Sequence, residues 1–153
     1  MAQLWYDQDM TIDGKIIQQV FNGMEQGRQI TFLVGAGISA ESGIPTFRGN
    51  DGFWTKDSEN YQPEEIATFR MFRHDPKRVW TWFLKLGSTI AKARPNQNHR
   101  ELKQLELLLN PHFSLVSQNV DGLHRKAGQD EESTFLIHGD AAFVRCSDGC
   151  TEE

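Results

Sequence analysis

Apolar residues recur every four positions from Ile12 through Ile16 and Val20 to Met24, with Ile17 and Phe21 beside them. A stripe of that period predicts an amphipathic helix over Thr11 to Gln26. Thr11 is placed to cap it and Gly27 to end it. Gln29 to Val34 is short and almost continuously apolar at its end, which predicts a strand covered on both faces. The pattern then breaks. Asn50 to Pro63 is polar and rich in turn formers, as in a long functional loop or part of a small inserted lobe. Pro63 to Phe72 predicts a short helix. Asp75-Pro76 is a helix start, with Asp as N-cap and Pro in the first turn. Val79, Trp80, Phe83 and Leu84 form that helix's predicted apolar face, and Pro95 breaks it. Asn98 with Glu101 fits a capping box for the next helix, whose stripe is Leu102, Leu105, Leu108 and Leu109 and whose end is Asn110-Pro111. Phe113 to Ser117 and Thr134 to Ile137 read as two further short strands. Helices alternating with short apolar strands predict an α/β fold with a parallel sheet.

Composition narrows the function classes. The chain has 153 residues, enough for one domain with a core. It carries 16 Lys and Arg against 21 Asp and Glu, a formal net charge of −5, and no basic tract of five or more residues. That disfavours a direct nucleic-acid partner, which would call for a basic face. No apolar run approaches the roughly 18–20 residues of a membrane span. Met1 to Met10 is polar, with Asp7 and Asp9, and lacks the basic-then-apolar order of a secretory signal. The expectation is a soluble cytoplasmic protein with no membrane partner. The two cysteines, Cys146 and Cys150, are four apart, a spacing that suggests metal or redox chemistry more than a structural disulfide.

Each predicted strand runs into a polar cluster. The first meets G-x-G-x-x-A at Gly35, Gly37 and Ala40, a turn that lets backbone N–H groups approach a phosphate pair. The same pattern also serves tight strand–helix turns that bind nothing. A hydride-transfer domain would continue into a second strand ending in an acid roughly 20 residues on. Here Gly43, Pro45, Gly49 and Gly52 forbid a regular strand, and Phe47, Arg48 and several aromatics suit a lid over a cofactor. The second strand runs into Gln118, Asn119 and Asp121, whose amides and carboxylate match a carboxamide and ribose hydroxyls. An Asx turn opening a helix is an equal reading of that stretch. The third runs into His138 before Gly139, where an imidazole suits a general base. His99 and His124 fall within predicted helices, where packing or capping is the plainer role. Cys146 and Cys150 supply half of a tetrahedral zinc site or stand as two free thiols.

Together these motifs resemble the sirtuin family of NAD-dependent protein deacylases. The carriers are G-A-G-I-S-A-E-S-G-I-P-T-F-R-G from Gly35, S-Q-N-V-D-G-L-H-R-K-A-G from Ser117, I-H-G from Ile137 and the Cys pair. The helical segments D-P-K-R-V-W-T-W-F and P-N-Q-N-H-R-E-L-K-Q-L-E are also similar. The resemblance runs from about Ile12 to Cys150. It implies a Rossmann-like parallel sheet with flanking helices and a small zinc-binding and helical lobe. Residues 1–49 and 111–140 would form the core, 50–110 a loop and helical insertion, and 141–153 the first half of a zinc module, with the chain a partial catalytic domain truncated at its C-terminus.

The resemblance also implies roles. NAD would lie along the carboxyl edge of the sheet, its phosphates meeting the Gly35–Gly37 turn and Ser39. Ala36, Phe47 and Arg48 would belong to the cofactor-binding loop, with Phe47 shielding the reacting ribose carbon. Asn119 and Asp121 would hold the nicotinamide carboxamide, Gln118 the ribose, and His138 would be the general base. An acyl-lysine protein or peptide would be the substrate, with nicotinamide and O-acyl-ADP-ribose among the products. Zinc would be structural, with Cys146 and Cys150 as half of its ligands, at a spacing one residue longer than the commonest. Phe83 and Leu86 stand where the branch that removes acidic acyl groups carries Tyr and Arg, which implies a preference for acetyl or longer apolar acyl groups. An NAD glycohydrolase or ADP-ribosyltransferase on the same scaffold, and an inactive binding fragment, remain as alternatives.

Overall fold

The computed structural model describes residues 14–46 and 66–150. Its elements are α1 (Gly14–Glu25), β1 (Ile30–Val34), α2 (Gly37–Ala40), α3 (Phe69–His74), α4 (Pro76–Lys92), α5 (Gln97–Leu109), β2 (Phe113–Ser117), α6 (Leu123–Lys126) and β3 (Thr134–Leu136). The sheet is parallel, as the alternation of helices and strands predicts, and its strand order is β1-β2-β3. Its register aligns Val34 with Ser117 and Ser117 with Leu136, so all three strands release their chains along one carboxyl edge.

One face of the sheet holds the core. Leu102 and Leu109 of α5 pack on Phe113 and Leu115, with Ile30, Phe32 and Val34 beside them and Met24 of α1 at the margin. Phe32 and Phe113 stack at 5.2 Å between centroids. The expectation that β1 is covered on both faces fails. Leu33 is 68% exposed and Phe135 of β3 is 51% exposed, because among the described residues no helix lies against their face. An apolar run does not reveal which of its two faces is covered, since period-2 alternation is invisible when both faces are apolar.

The helices follow the pattern with local corrections. α1 ends at Gly27, whose φ of +67° suits a residue without Cβ. Thr11 lies outside the described residues. Asp75 caps α4 through Arg78 N at 3.0 Å, with Pro76 in the first turn. The buried seam of α4, however, is Val79 and Leu86, continuing to Ala93, each seven residues apart. Trp80, Phe83 and Leu84 are instead exposed. The apolar arc of α4 is wider than the surface it docks on, so its stripe misreads the buried side. For α5 the N-cap is Asn96, not Asn98: Asn96 Oδ1 accepts from His99 N, and Asn96 Nδ2 reaches across to Ile38 O at 2.7 Å. That tertiary bond favours Asn96. Asn98 extends toward Glu41 instead.

Leu108 is exposed, whereas Glu106 is buried in its place along the helix. Glu106 accepts from Lys103 Nζ at 2.6 Å, Asp130 N at 2.9 Å and Ser133 Oγ. Burial works against its ionised form, but these donors together outweigh it and hold the carboxyl below its ordinary range. Glu106 thus ties the connection before β3 to α5.

Candidate active site

The turn after β1 is built from its own backbone. Ile38 N donates to Gly35 O at 3.2 Å and Ser39 N to Ala36 O at 3.1 Å, which starts α2. No side chain caps α2. With Ile38 N and Ser39 N bonded within the turn, an anion would meet the N–H groups before them, those of Ala36 and Gly37. A Cβ built at Gly37 meets nothing within 4 Å, so that backbone faces open space. Gln118 closes one side of the turn: its N–H donates to Val34 O at 3.0 Å, and its amide lies 3.5 Å from a Cβ built at Gly35. Ala36 is half-buried and Ala40 exposed. Phe47 and Arg48 lie outside the described residues.

Behind the turn sits a buried polar chain. Ser39, 1% exposed, donates its hydroxyl to Asp121 Oδ2 at 2.6 Å. Its hydroxyl is thus turned inward, toward Asp121. Asn119 Nδ2 donates to Gly35 O at 3.1 Å and to Ser39 Oγ at 3.2 Å. Asp121 Oδ1 accepts from Leu123 N at 2.9 Å and so opens α6 as an Asx cap. Asn119 N donates to Ser117 Oγ at 3.1 Å. Ser39, Asn119 and Asp121 share a narrow cavity with Ala36, Ile44 and Leu86, polar on one wall and apolar on the other.

Two histidines complete this cluster, and the sequence pattern assigns them only packing or capping. His99 Nε2 lies 3.5 Å from Ser39 Oγ. Its Nδ1 lies 3.0 Å from Asn96 Oδ1 and accepts from Asn96 N at 3.4 Å, which closes the capping box. Nε2 then faces Ser39 Oγ as a donor, because the Ser39 proton goes to Asp121. His124 stands against it, ring centroids 4.9 Å apart. Burial lowers the pKa of His99, partly opposed by Asp121 and helped by Arg100. Burial and then His99 lower that of His124 to about 4, against the pull of Asp121. Both imidazoles are neutral at pH 7. The available signal for His99 was its place three residues after an Asn at a helix start, where the side chain folds back over the cap.

His138 is placed differently. It is exposed at the end of β3, and its Nδ1 lies 2.9 Å from Gln118 O. A carbonyl oxygen only accepts, so Nδ1 carries the proton and Nε2 is the free basic nitrogen. His138 lines an open groove of about 570 Å³, shared with Phe72, Trp80, Phe83, Val120 and Val144. Arg125 and Asp140, 2.9 Å apart, brace the turn that follows. A Cβ at Gly122, where φ is +64°, would approach Asp140 Oδ2 to 3.2 Å.

Cys146 and Cys150 are free thiols with Sγ atoms 2.7 Å apart. Two thiolates on one tetrahedral zinc sit about 3.8 Å apart at ordinary Zn–S lengths. Among the described residues no group of three or more His, Cys, Asp and Glu side chains converges as a metal site. The pair can therefore furnish at most two ligands, after separating by about 1 Å.

Comparison with known proteins places this geometry. The sequence profile of the Sir2 family matches residues 35–153. The chain is 50% identical over 117 residues to an NAD-dependent protein deacylase of Aquifex aeolicus, covering 76% of this chain and 46% of that protein. It is 38% identical over 130 residues to NAD-dependent protein deacylase 1 of Archaeoglobus fulgidus, covering 85% and 50%. Among solved structures, a Sir2 homologue–NAD complex superposes with a TM-score of 0.68 at 37% identity, over 88% of this chain and 48% of that one. A Sir2–p53 peptide–NAD+ complex gives 0.61 at 26% identity, over 81% and 46%. The chain spans about half the length of the curated relatives it matches. With the glycine turn, the Asn119–Asp121 cluster and His138 meeting along one sheet edge, and with that match over more than half its residues, the chain belongs to the Sir2 family.

Proposed function

We propose that this chain carries the NAD-binding and catalytic residues of an NAD-dependent protein-lysine deacylase that releases nicotinamide and O-acyl-ADP-ribose. The observation that carries the reading is His138: an imidazole held through Nδ1 by Gln118 O in the wall of an apolar groove, beside a buried amide–carboxylate cluster and a glycine turn. When bound, NAD supplies an electrophilic ribose carbon with nicotinamide as its leaving group.

The chain's residues divide the remaining work. Gly35, Ala36, Gly37 and Ala40 offer backbone to the phosphates, and Ser39 fixes Asp121 behind them. Gln118 takes the ribose. Asn119 and Asp121 frame the carboxamide in the narrow cavity beneath the turn. Phe47 and Arg48 belong to the loop that closes over the reacting carbon and excludes water. His138 Nε2 takes the proton of a ribose hydroxyl for the acyl-transfer step.

The groove suits an apolar acyl-lysine. Phe83 lines it, and Leu86 closes the cavity behind Asn119. Neither side chain can pair with an acyl carboxylate, so acetyl or longer apolar groups are favoured over succinyl. A solved Sir2 complex holding a p53 peptide with NAD+ supports a peptide substrate. Cys146 and Cys150 are proposed as two ligands of a structural zinc, in a protein of the cytoplasm.

The test is nicotinamide release by the full-length protein with and without an acetyl-lysine peptide. Release that requires the peptide is expected. Release indifferent to it would replace this reading with an NAD glycohydrolase or ADP-ribosyltransferase, and failure of the 153-residue chain to fold cooperatively or to bind NAD by calorimetry would favour an inactive fragment.

A further inference from the structure

His138 is followed by Gly139, whose φ is +81° and where an added Cβ would meet nothing within 4 Å. Packing therefore does not fix the turn that follows the imidazole. Its ties come from the residues just beyond. Ala141 N donates to Val120 O at 2.8 Å, a single point about which the turn could pivot. Asp140 supplies the second point. Its Oδ1 accepts from Ala142 N at 2.8 Å and its C=O from Phe143 N at 3.2 Å, which shapes the turn. Its Oδ2 lies 2.9 Å from Arg125 Nη2, which anchors the turn to α6.

Ion pairs between exposed side chains contribute little, but this pair is lopsided. The Asp140 side chain is 8% exposed and that of Arg125 38%. Without Arg125 the carboxylate would stand mostly out of water with no cation beside it, which favours moving the turn until water reaches it. The pair is seated on backbone, since a Cβ at Gly122 would come to 3.2 Å from Asp140 Oδ2 and 3.3 Å from Arg125 Nη2. Arg125 also lies over the Phe143 ring, its Cζ 4.9 Å from the centroid, within the range of a cation–π contact. Phe143 is an exposed ring that lines the same groove as His138 and Phe83. One guanidinium thus holds both the turn after the imidazole and a ring of the groove wall. We propose that Arg125 is a positioning residue: its ion pair with Asp140 sets the direction of the His138 imidazole, and its guanidinium plane holds Phe143 in the wall of the groove. The role in turnover rests on the deacylase reading, whereas the placement of His138 does not.

The placement can be read without activity, from imidazole nitrogen shifts of the full-length protein at about pH 8, above the ordinary histidine range. Wild-type His138 is expected to show the Nδ1–H tautomer that Gln118 O requires. Arg125→Ala is expected to turn it into a mixture of Nδ1–H and Nε2–H, with His99 and His124 unmoved. A mixture already present in the wild type, or an unchanged tautomer in the variant, overturns the proposal. So does a change shared by all three histidines, which would report general loosening. In turnover, Arg125→Ala is expected to lower kcat about tenfold and to raise KM for an acetyl-lysine peptide about fivefold, with KM for NAD within about twofold. Arg125→Lys keeps the cation but not the plane, so kcat should return within about threefold while the peptide KM stays raised. Asp140→Asn, which keeps an acceptor for Ala142 N, is expected to match Arg125→Ala in kcat. The double variant should fall no further, because the two side chains act as one pair. Losses that multiply, an Arg125→Lys kcat no better than that of Arg125→Ala, or NAD and peptide constants rising together would each sink the positioning role. If Arg125→Ala does not fold, Asp140→Asn carries the tautomer test. Absence of all NAD-dependent activity in the wild type rejects the deacylase reading, and the role in turnover with it, while the nitrogen shifts still decide whether the pair places His138.

Discussion

The carboxyl edge of the sheet is closed at one end and open at the other. Where β1 and β2 deliver their chains, Ser39, Asn119, Asp121, His99 and His124 are buried, and hydrogen bonds join all but His124. Where β3 delivers His138, the imidazole is exposed and the surrounding apolar side chains of α4 are only partly covered. The difference matches the two tasks of the proposed reaction. Cleavage at a ribose carbon gains from a fixed, dry pocket that needs no reorganisation. An acyl-lysine must enter and leave, so its side of the site is a groove. Gln118 links the two ends: its N–H ties to β1 and its C=O holds His138.

The largest expected effect separates the two ends outright. His138→Ala in the full-length protein should lower deacylation by about 10²–10⁴-fold, the usual contribution of a general base. NAD affinity measured by calorimetry should stay within about threefold, because the His138 side chain does not line the cavity formed by Ser39, Asn119 and Asp121. Unchanged turnover would remove the general-base role. A parallel loss of NAD binding would show that the two ends are not separable.

The same division applies to stability along α4. Leu86, 3% exposed, faces the closed cavity, and Leu84, 67% exposed, does not. Leu86→Ala should cost about 2–5 kcal/mol and Leu84→Ala under about 0.5 kcal/mol in urea unfolding. Similar costs at the two sites would mean that the exposed face of α4 is covered in solution. This helix also shows what the sequence concealed. Its start at Asp75-Pro76 was legible, because a cap and a proline act locally. Its buried seam was not, because Trp80, Phe83 and Leu84 are as apolar as Val79 and Leu86, and only the docking partner selects among them. The three strands, their parallel direction and the polar clusters at their ends were legible for the same local reason. The roles of Glu106, His99 and His124 were not, since a polar residue on a helix declares its burial only through partners distant in sequence.

Acid should open the closed end first. Unfolded histidine titrates near 6.5, whereas His124 in the fold titrates at about 4. The unfolded chain therefore binds more protons between these values, and stability falls as pH drops through that window. The full stability is present above pH 6.5, and the loss approaches about 3 kcal/mol near pH 4. His99, whose pKa is also lowered, adds to the loss in the same direction. Urea unfolding at pH 7 and pH 4.5 measures the slope. His124→Gln should flatten it, and an unaltered slope would place the acid sensitivity elsewhere, for instance at Glu106.

Phe83 gives the smallest expected change and the finest cut between the two ends. It is 37% exposed on α4, packed edge-on against Trp82 at 4.9 Å, and lines the groove with His138. Phe83→Ala removes little buried surface, so its cost in stability should be about 1 kcal/mol or less. Its ring nevertheless forms part of the apolar wall an acyl chain would meet. KM for an acetyl-lysine peptide should rise severalfold, and more for a longer acyl group, because a longer chain buries more apolar area against the ring. KM for NAD should not move, because Phe83 does not line the cavity formed by Ser39, Asn119 and Asp121. If NAD and peptide constants instead rise together, the groove and the pocket act as one site, and the contrast between an open and a closed end describes exposure alone.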